Sequence, residues 1–319
     1  MLLRQHLSIY RVLKITWRID LIILSLCTAA YFVDSRIMVT IHILPTLPAL
    51  IGTATAFFIG FNNNQAYSRW WEARTIWGGL VNDSRSWARG LMAYCGGHQG
   101  SSGEGAEKGG APGEGTITGE RRAYARKMIL RHIGFLYALK TALRKDSDNT
   151  FEKYLSAPET ASVRRFANIP NAILDLQAQD LEKLSRLQAT DGFRFLALND
   201  LLRGFCEGMG KSERINNTVF PTTYIYFTRL FIWILVVLVT MTLSENIGPW
   251  SIFFGWVIGF AFHASQINGM MLMNPFEPIP SGVALNSITR TIEINMLQTL
   301  GEAGIPAPEP TQRDGEYVL

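Results

Sequence analysis

The stretch that decides the fold runs from Pro45 to Trp71 and reads PTLPALIGTATAFFIGFNNNQAYSRWW. Its first half is apolar and uncharged, and its length is close to what a helix needs to cross a bilayer. Small residues recur through this half and would let other helices approach closely: Gly52, Ala54, Ala56 and Gly60. The stretch therefore predicts a membrane-spanning helix that continues into a polar and aromatic segment.

One face of this helix carries Thr53, Phe57 and Phe61, because residues four apart are neighbours on a helix surface. We expect this uncharged face to line an ion pore. The alternative is that the two phenylalanines only pack between helices. Three asparagines follow directly: Asn62, Asn63 and Asn64. They either line the inner mouth of such a pore with amide groups or cap the helix.

The composition indicates a membrane protein with a large aqueous part. Of the 319 residues 48% are hydrophobic, and these concentrate near both ends of the chain, around a polar middle. The net charge of +4 is mild, and no nucleic-acid partner is expected. The three cysteines are far apart and predict neither a disulfide framework nor a metal site: Cys27, Cys95 and Cys206.

Four apolar segments predict four membrane spans. They cover residues 19–44 with an interruption near Asp34, then 45–61, 219–243 and 249–273. Residues 1–18 mix bases with apolar residues, so they form either an amphipathic helix on the membrane surface or an extension of the first span. Arg229 within the third span needs a partner, and Asp20 in the first span is a candidate.

The polar middle predicts helices joined by one flexible loop. Residues 96–120 are rich in glycine and cannot bury a core. Helical spacing recurs in five further segments: 121–144, 150–166, 171–188, 191–209 and 286–300. We therefore expect an all-α membrane protein in four parts: 1–80 with the first two spans, 81–215 as a helical cytosolic region, 216–273 with the last two spans, and 274–319 as a cytosolic tail.

The distribution of basic residues predicts the orientation. Lysine and arginine flank the spans on the side of the polar middle, whereas the loop between the last two spans has neither. Both termini and residues 62–215 are therefore expected in the cytoplasm. The chain contains no nucleophile elbow, zinc-protease, P-loop or dinucleotide motif in the required context, so we expect neither an enzyme nor a bound cofactor.

Several motifs, taken in order, resemble the bacterial bestrophins. They are Gly60-Phe61 followed by Ser68–Arg74 (SRWWEAR), Ser212–Thr218 (SERINNT) before Phe220-Pro221, Asn274-Pro275-Phe276, and Thr289–Leu297 (TRTIEINML). The resemblance covers most of the chain apart from the glycine-rich loop and the C-terminal end. It implies a homopentamer in the bacterial inner membrane, with four membrane segments in each subunit and one central pore.

The resemblance also implies a function and its residues. Members of the family conduct monovalent ions passively, chiefly chloride, although some bacterial members conduct cations. The family's hydrophobic neck falls on Thr53, Phe57 and Phe61, where Thr53 replaces the usual aliphatic residue and predicts a wider or wetter outer end. A second, cytosolic constriction is expected near Ile169, Pro170 and Ile173. Beyond lipid and ions, the implied partner is the chain itself.

The family's calcium-activated members carry an acidic cluster after the element that corresponds to Asn274-Pro275-Phe276. Here that stretch reads EPIPSGVALNS, with Glu277 as its one acid. Calcium takes six to eight oxygen ligands, so we expect no metal site there.

Four residues are assigned structural roles: Arg69, Trp70, Trp71 and Arg229. Arg69 either pairs with Glu72, holds a neighbouring subunit or anchors to lipid. The tryptophans suit packing or an interfacial belt. Three functions therefore remain open: an anion channel, a cation channel of the same fold, and a membrane-anchored scaffold whose cytosolic helices bind a partner.

Overall fold

The computed structural model describes residues 9–37, 42–95, 114–186, 190–312 and 317–319. These residues form α-helices, one 3₁₀ turn (Thr150–Tyr154) and a single antiparallel bridge, Gln312 to Tyr317, with no strand. The helices are α1 (Ile9–Arg36), α2 (Thr46–Cys95), α3 (Glu114–Arg144), α4 (Ala157–Val163), α5 (Ile169–Arg186), α6 (Gly192–Asn217), α7 (Thr222–Ile247), α8 (Trp250–Met270) and α9 (Leu285–Leu300). The all-helical prediction is confirmed.

The sequence places clear stops between the helices. α7 starts directly after Pro221 and ends at Gly248, whose φ of 57° lies in the region that favours glycine. Pro249 follows at once and opens α8, which fits its fixed φ and its missing N–H. α9 ends on Gly301, also left-handed with a φ of 73°. Glycine and proline therefore make the α7–α8 turn tight.

The chain divides into two compact units. The apolar unit comprises Leu2–Trp71 and Thr218–Pro275, and the polar unit comprises Glu72–Asn217 and Phe276–Leu319. α2 contributes its first part to the apolar unit and its second part to the polar unit. Residues 276–319, most of the expected cytosolic tail 274–319, belong to the polar unit, in which α9 packs against α3.

The apolar unit contains three helices that are long and apolar enough to cross a membrane, counting the described residues alone: Lys14–Arg36, Thr222–Ile247 and Trp250–Met270. These three helices pack on one another. Their core takes in one residue of α2: Ile23, Cys27, Ile59, Ile232 and Val236. Gly259 of α8 lets the helices approach, since a Cβ there would lie 2.7 Å from Ile23 and 2.8 Å from Val236.

The polar unit is built around α3. This helix packs against α5, α6, α9 and the 3₁₀ turn, and its residues 128–139 are almost entirely buried. His132, at the centre of α3, is fully buried beside Trp87, Phe135 and Phe205. The part of α2 that lies in this unit contributes large buried side chains, Trp77, Leu80 and Leu91 among them.

Several boundaries differ from those expected. α1 includes residues 9–18 without a break, as the extension alternative predicts, and it continues past Asp34 to Arg36. Residues 114–120, expected to belong to the glycine-rich loop, form the start of α3, whereas 96–113 lie outside the described residues. The helix expected over 150–166 is divided into a 3₁₀ turn and the short α4.

Candidate pore-lining site

One face of α2 in the apolar unit is largely exposed. Along this face five uncharged residues are exposed: Leu50, Thr53, Phe57, Phe61 and Asn64. Phe57 is 72% exposed and Phe61 45%. The opposite face is buried in the unit at Thr55, Ile59, Asn62 and Ala66. Exposure of large apolar side chains along a single helical stripe marks a surface that contacts something other than its own chain.

The phenylalanines of α2 differ in what they touch. Phe58 packs between helices, with its ring centroid 5.6 Å from that of Phe231 and 6.4 Å from that of Tyr224. Phe57 contacts Phe58 edge to face at 6.3 Å and otherwise projects outward. Phe61 stacks on Tyr224 at 6.2 Å with an interplanar angle of 28°. Within one chain the rings of Phe58 and Phe61 therefore contact rings of α7, whereas the ring contact of Phe57 is with Phe58 on its own helix.

The hydroxyl of Thr53 is engaged by its own helix. Its Oγ1 donates a hydrogen bond to the Ala49 carbonyl oxygen at 2.9 Å. A hydroxyl has one proton and two acceptor lone pairs, so in this rotamer Thr53 offers the exposed face only acceptors and a methyl group.

The three asparagines have different environments. Asn62 is buried and donates from Nδ2 to Thr228 Oγ1 at 3.1 Å. Asn63 donates from Nδ2 to the Ser265 carbonyl oxygen at 3.0 Å, and it lies so close to Gly269 that a Cβ there would be 1.9 Å from Asn63 Oδ1. Asn64 alone lies on the exposed face. The inner-mouth prediction is thus corrected for Asn62 and Asn63, and none of the three ends the helix, because α2 continues to Cys95.

The expected cytosolic constriction is not supported at two of its three positions. Ile173 is fully buried in the polar unit, and Pro170 is buried at the start of α5. Only Ile169 is half-exposed. An aliphatic residue that packs into its own core cannot also border a pore. This prediction was therefore wrong for Pro170 and Ile173.

Three aromatic residues lie at the end of the α2 segment that belongs to the apolar unit. The Tyr67 ring stacks on Trp70 at 6.0 Å and on Trp71 at 6.4 Å, which agrees with a packing or belt role. In the polar unit Glu72 pairs with Arg214 at 2.5 Å. The carboxylate of Glu72, considered above as a partner for Arg69, is thus paired with Arg214.

Three ionisable residues lie near one another inside the helix packing of the apolar unit. Asp20 is buried and accepts a hydrogen bond from Thr16 at 2.5 Å. Asp20 and Arg229 are both close enough to His263 for their charges to act on its ring. Within the described part of the chain, however, Asp20 and Arg229 form no ion pair within 4.0 Å. The pairing expected for Arg229 is not formed, and its buried Nε has no hydrogen-bond partner among the same residues.

The described residues contain no group of three or more His, Cys, Asp or Glu side chains positioned to hold an ion. The candidate site consists of the exposed, uncharged face of α2, followed along the helix by the hydrogen-bonded Asn62 and Asn63 and by the aromatic rings of residues 67–71.

The sequence profile described as bacterial/fungal bestrophin protein matches residues 6–298. The chain belongs to the bacterial/fungal bestrophin family.

Relatives and solved structures agree with this membership. The voltage-dependent anion channel-forming protein RSc3414 of Ralstonia nicotianae is 26% identical over 317 residues, covering 96% of each chain. The voltage-dependent anion channel-forming protein YneE of Escherichia coli K12 is 26% identical over 260 residues, 81% of this chain and 78% of YneE. The crystal structure of a bacterial bestrophin homologue from Klebsiella pneumoniae aligns with a TM-score of 0.76 over 89% of this chain and 97% of its own, at 22% identity. That likeness shows the shared fold.

Sequence reasoning on this bestrophin missed Leu50 on the exposed face of α2 and Tyr224, which contacts that face. Leu50 is 69% exposed and extends the stripe of Thr53 and Phe57 by one turn. Its position seven residues before Phe57 was a signal for it. Tyr224, which stacks on Phe61, is half-exposed and lies on α7, a helix distant in sequence. No local pattern pairs these two residues.

Proposed function

We propose that this bestrophin is a homopentameric ion channel in the bacterial inner membrane that conducts anions, chiefly chloride. The observation that carries the proposal is the exposed, uncharged face of α2, above all Phe57 with 72% of its surface exposed. Five copies of that face around a central axis would bury it from lipid and line a pore. The names of the relatives in Ralstonia and Escherichia as anion channel-forming proteins support the same function.

The proposed topology has four spans in each subunit. Three apolar helices are long enough to cross a bilayer, and the first part of α2 would be the fourth. This part is less apolar because Thr53, Gly60 and the asparagines interrupt it. A helix that faces a pore on one side and protein on the other needs less hydrophobicity than one surrounded by lipid. Four spans and the bias of lysine and arginine would place both termini and residues 62–215 in the cytoplasm.

Thr53, Phe57 and Phe61 would form the neck. Rings of phenylalanine offer no groups to replace the hydration of an ion, so such a constriction gates by dewetting. The edges of aromatic rings carry partial positive charge and tolerate a partly dehydrated anion better than a cation. Asn64 would follow at the inner mouth, where its amide offers both donors and an acceptor.

A cation channel of the same fold is the second candidate, and one observation favours it. The Thr53 hydroxyl donates to Ala49 and therefore presents only lone pairs to the exposed face. Lone pairs favour a cation, whereas the phenylalanine edges favour an anion. The measured selectivity decides between these two influences. Thr53→Val removes the hydroxyl at nearly constant volume and isolates its contribution.

The test is single-channel recording of the purified oligomer in a planar bilayer under a KCl gradient. We expect a reversal potential near the chloride equilibrium value, and a larger conductance when Phe57→Ala and Phe61→Ala are combined. The matched control is Phe193→Ala, since Phe193 lies on α6 in the polar unit and is 88% exposed. Its conductance should equal that of the unmodified protein.

Other outcomes would overturn parts of the proposal. A reversal potential near the potassium equilibrium value, shifted toward chloride by Thr53→Val, would establish the cation channel. An absence of current from folded oligomer, with and without the two phenylalanine substitutions, would establish the membrane-anchored scaffold instead.

A further inference from the structure

The polar unit contains a cleft with an unusual lining. It has a volume of about 680 Å³ and lies between the second part of α2 and α9. Two arginines of α2 border it together with amide and hydroxyl side chains: Arg85, Arg89, Asn82, Asn295, Gln298 and Thr299. The lining contains no acidic residue and no aromatic residue among those described. A cleft of this size is large enough for a small organic ligand.

Both arginines are held in place through Nε. Arg85 Nε donates to Asn295 Oδ1 at 2.9 Å, and Arg89 Nε donates to the Arg85 carbonyl oxygen at 3.2 Å. Among the residues that the structure describes, neither guanidinium has a carboxylate within 4.0 Å, and the terminal amino groups have no hydrogen-bond partner. Two oriented forks of N–H donors therefore remain available to a ligand.

The two positive charges are not balanced by neighbouring acids of the described chain. Arg85 and Arg89 lie four apart on one helix, where like charges repel. Asp83 lies against Gly204 on α6, with its Oδ2 3.4 Å from where a Cβ of Gly204 would be. Glu302, which follows α9, is paired with Arg126 at 2.6 Å. Both arginines are exposed, so water and salt screen this repulsion, and a bound anion would reduce it further.

We propose that this cleft binds a small, soluble anion that carries phosphate groups. The planar fork of arginine matches the oxygens of phosphate, and each contact is a charge-assisted hydrogen bond. A nucleobase would gain little because no aromatic side chain of the lining offers a stacking surface. A lipid tail would gain little because Ala88 and Met296 are the apolar residues of the lining. This site goes beyond the proposed channel function, since it requires neither a pore nor ion selectivity.

The experiment is isothermal titration of the full-length oligomer, purified in detergent without phospholipid, with inorganic pyrophosphate as the probe. Ionic strength is held constant with KCl so that chloride competes equally throughout. We expect Arg85→Gln and Arg89→Gln each to raise the Kd about tenfold or more, as loss of one charge-assisted hydrogen bond implies. The matched control is Arg165→Gln, since Arg165 is exposed in the same unit and has no ion pair among the described residues. Its Kd should be unchanged.

Two results would overturn the proposal: no heat of binding in the unmodified protein at millimolar pyrophosphate, or equal affinity in all four proteins. Because Arg85 is bonded to Asn295, its variant could fold poorly, and Arg89→Gln then carries the test alone. Binding and conduction are measured separately. A channel that does not bind pyrophosphate overturns this site only, and arginine-dependent binding without current overturns only the channel.

Discussion

Asn62 on α2 donates a hydrogen bond from its side-chain amide to the hydroxyl of Thr228 on α7, at 3.1 Å and in a buried environment. Thr228 in turn donates to the Tyr224 carbonyl oxygen at 2.7 Å. Asn64, two residues further along, is exposed on the face proposed to line the pore. Asn62 therefore links α2 to α7, whereas Asn64 lies on the exposed face of α2.

This difference predicts opposite effects for two identical substitutions. Asn62→Ala should destabilise the protein by about 1 kcal/mol, because it removes a hydrogen bond between membrane helices. Asn64→Ala should leave stability unchanged and alter single-channel conductance. Thermal unfolding in detergent measures the first effect and bilayer recording the second. If Asn64→Ala lowers the unfolding temperature as much as Asn62→Ala, the assignment of the two faces is wrong.

The close approach of α8 to its neighbours gives a second prediction. A methyl group at Gly259 would lie 2.7 Å from Ile23 and 2.8 Å from Val236, so Gly259→Ala should force α8 away from α1 and α7. We expect a loss of about 1–3 kcal/mol, as for other overpacked cores. Thermal unfolding of the purified oligomer measures it.

The control for that prediction is Gly210→Ala on α6. Gly210 is exposed within a helix, and no described atom lies within 4 Å of the position that a methyl group would take there. Alanine at this position should stabilise the protein by about 0.5–1 kcal/mol through helix propensity alone. Equal stabilisation by both substitutions would show that α8 is not tightly packed at Gly259.

The sequence predicted the helices and the exposed face of α2 because both depend on local spacing. Thr53, Phe57 and Phe61 share a face in any α-helix, so their common exposure follows from periodicity. The roles of Asn62 and Asn64 could not be separated in that way, because both are polar and only the packing of α7 and α8 decides which one is buried. The prediction that Ile173 borders a cytosolic constriction failed for the same reason, because its burial in the core depends on neighbours distant in the chain.

A pH-dependent prediction rests on His132. Burial lowers the pKa of His132 to about 3 from an ordinary value of 6.5. Its Nε2 lies 2.9 Å from Ser84 Oγ, and Ser84 itself donates to the Leu80 carbonyl oxygen, so the neutral ring must donate from Nε2. Between these two pKa values the unfolded chain binds a proton that the folded chain does not. Stability should therefore fall as the pH falls below 6.5, by up to about 1.4 kcal/mol per pH unit, and should be unaffected by His132 at higher pH.

Between pH 6.5 and 4.5 the contribution of Glu159 is constant, so the effect of His132 is measured there as the difference between the unmodified protein and His132→Gln. Glu159 is buried, which raises its pKa, but hydrogen bonds from the Ser156 amide and from Arg131 outweigh burial and hold the pKa at about 2. Its stabilising contribution is therefore lost only as the pH falls below its ordinary value of 4.5. His132→Gln keeps an N–H donor for Ser84 and should make the stability profile less steep within this window. Parallel profiles for the unmodified protein and His132→Gln would contradict the prediction.

We expect a substitution of the buried Arg131 to lower stability more than a substitution in an exposed ion pair. Its side chain is 2% exposed, and Nη2 lies 2.8 Å from Asp180 Oδ2, whose side chain is also 2% exposed. Nη1 donates to the Leu176 carbonyl oxygen at 2.9 Å. Arg131→Met would remove one buried cation from Asp180, which keeps Lys127 and Lys183 beside it, and would leave the Leu176 carbonyl without its donor. This should cost about 1.5–3 kcal/mol. Arg186→Met is the matched control, because its pair with Glu182 is exposed and contributes about 0.5 kcal/mol or less. Denaturant unfolding of both variants measures the difference, and equal losses would show that the Arg131 pair behaves as a surface ion pair.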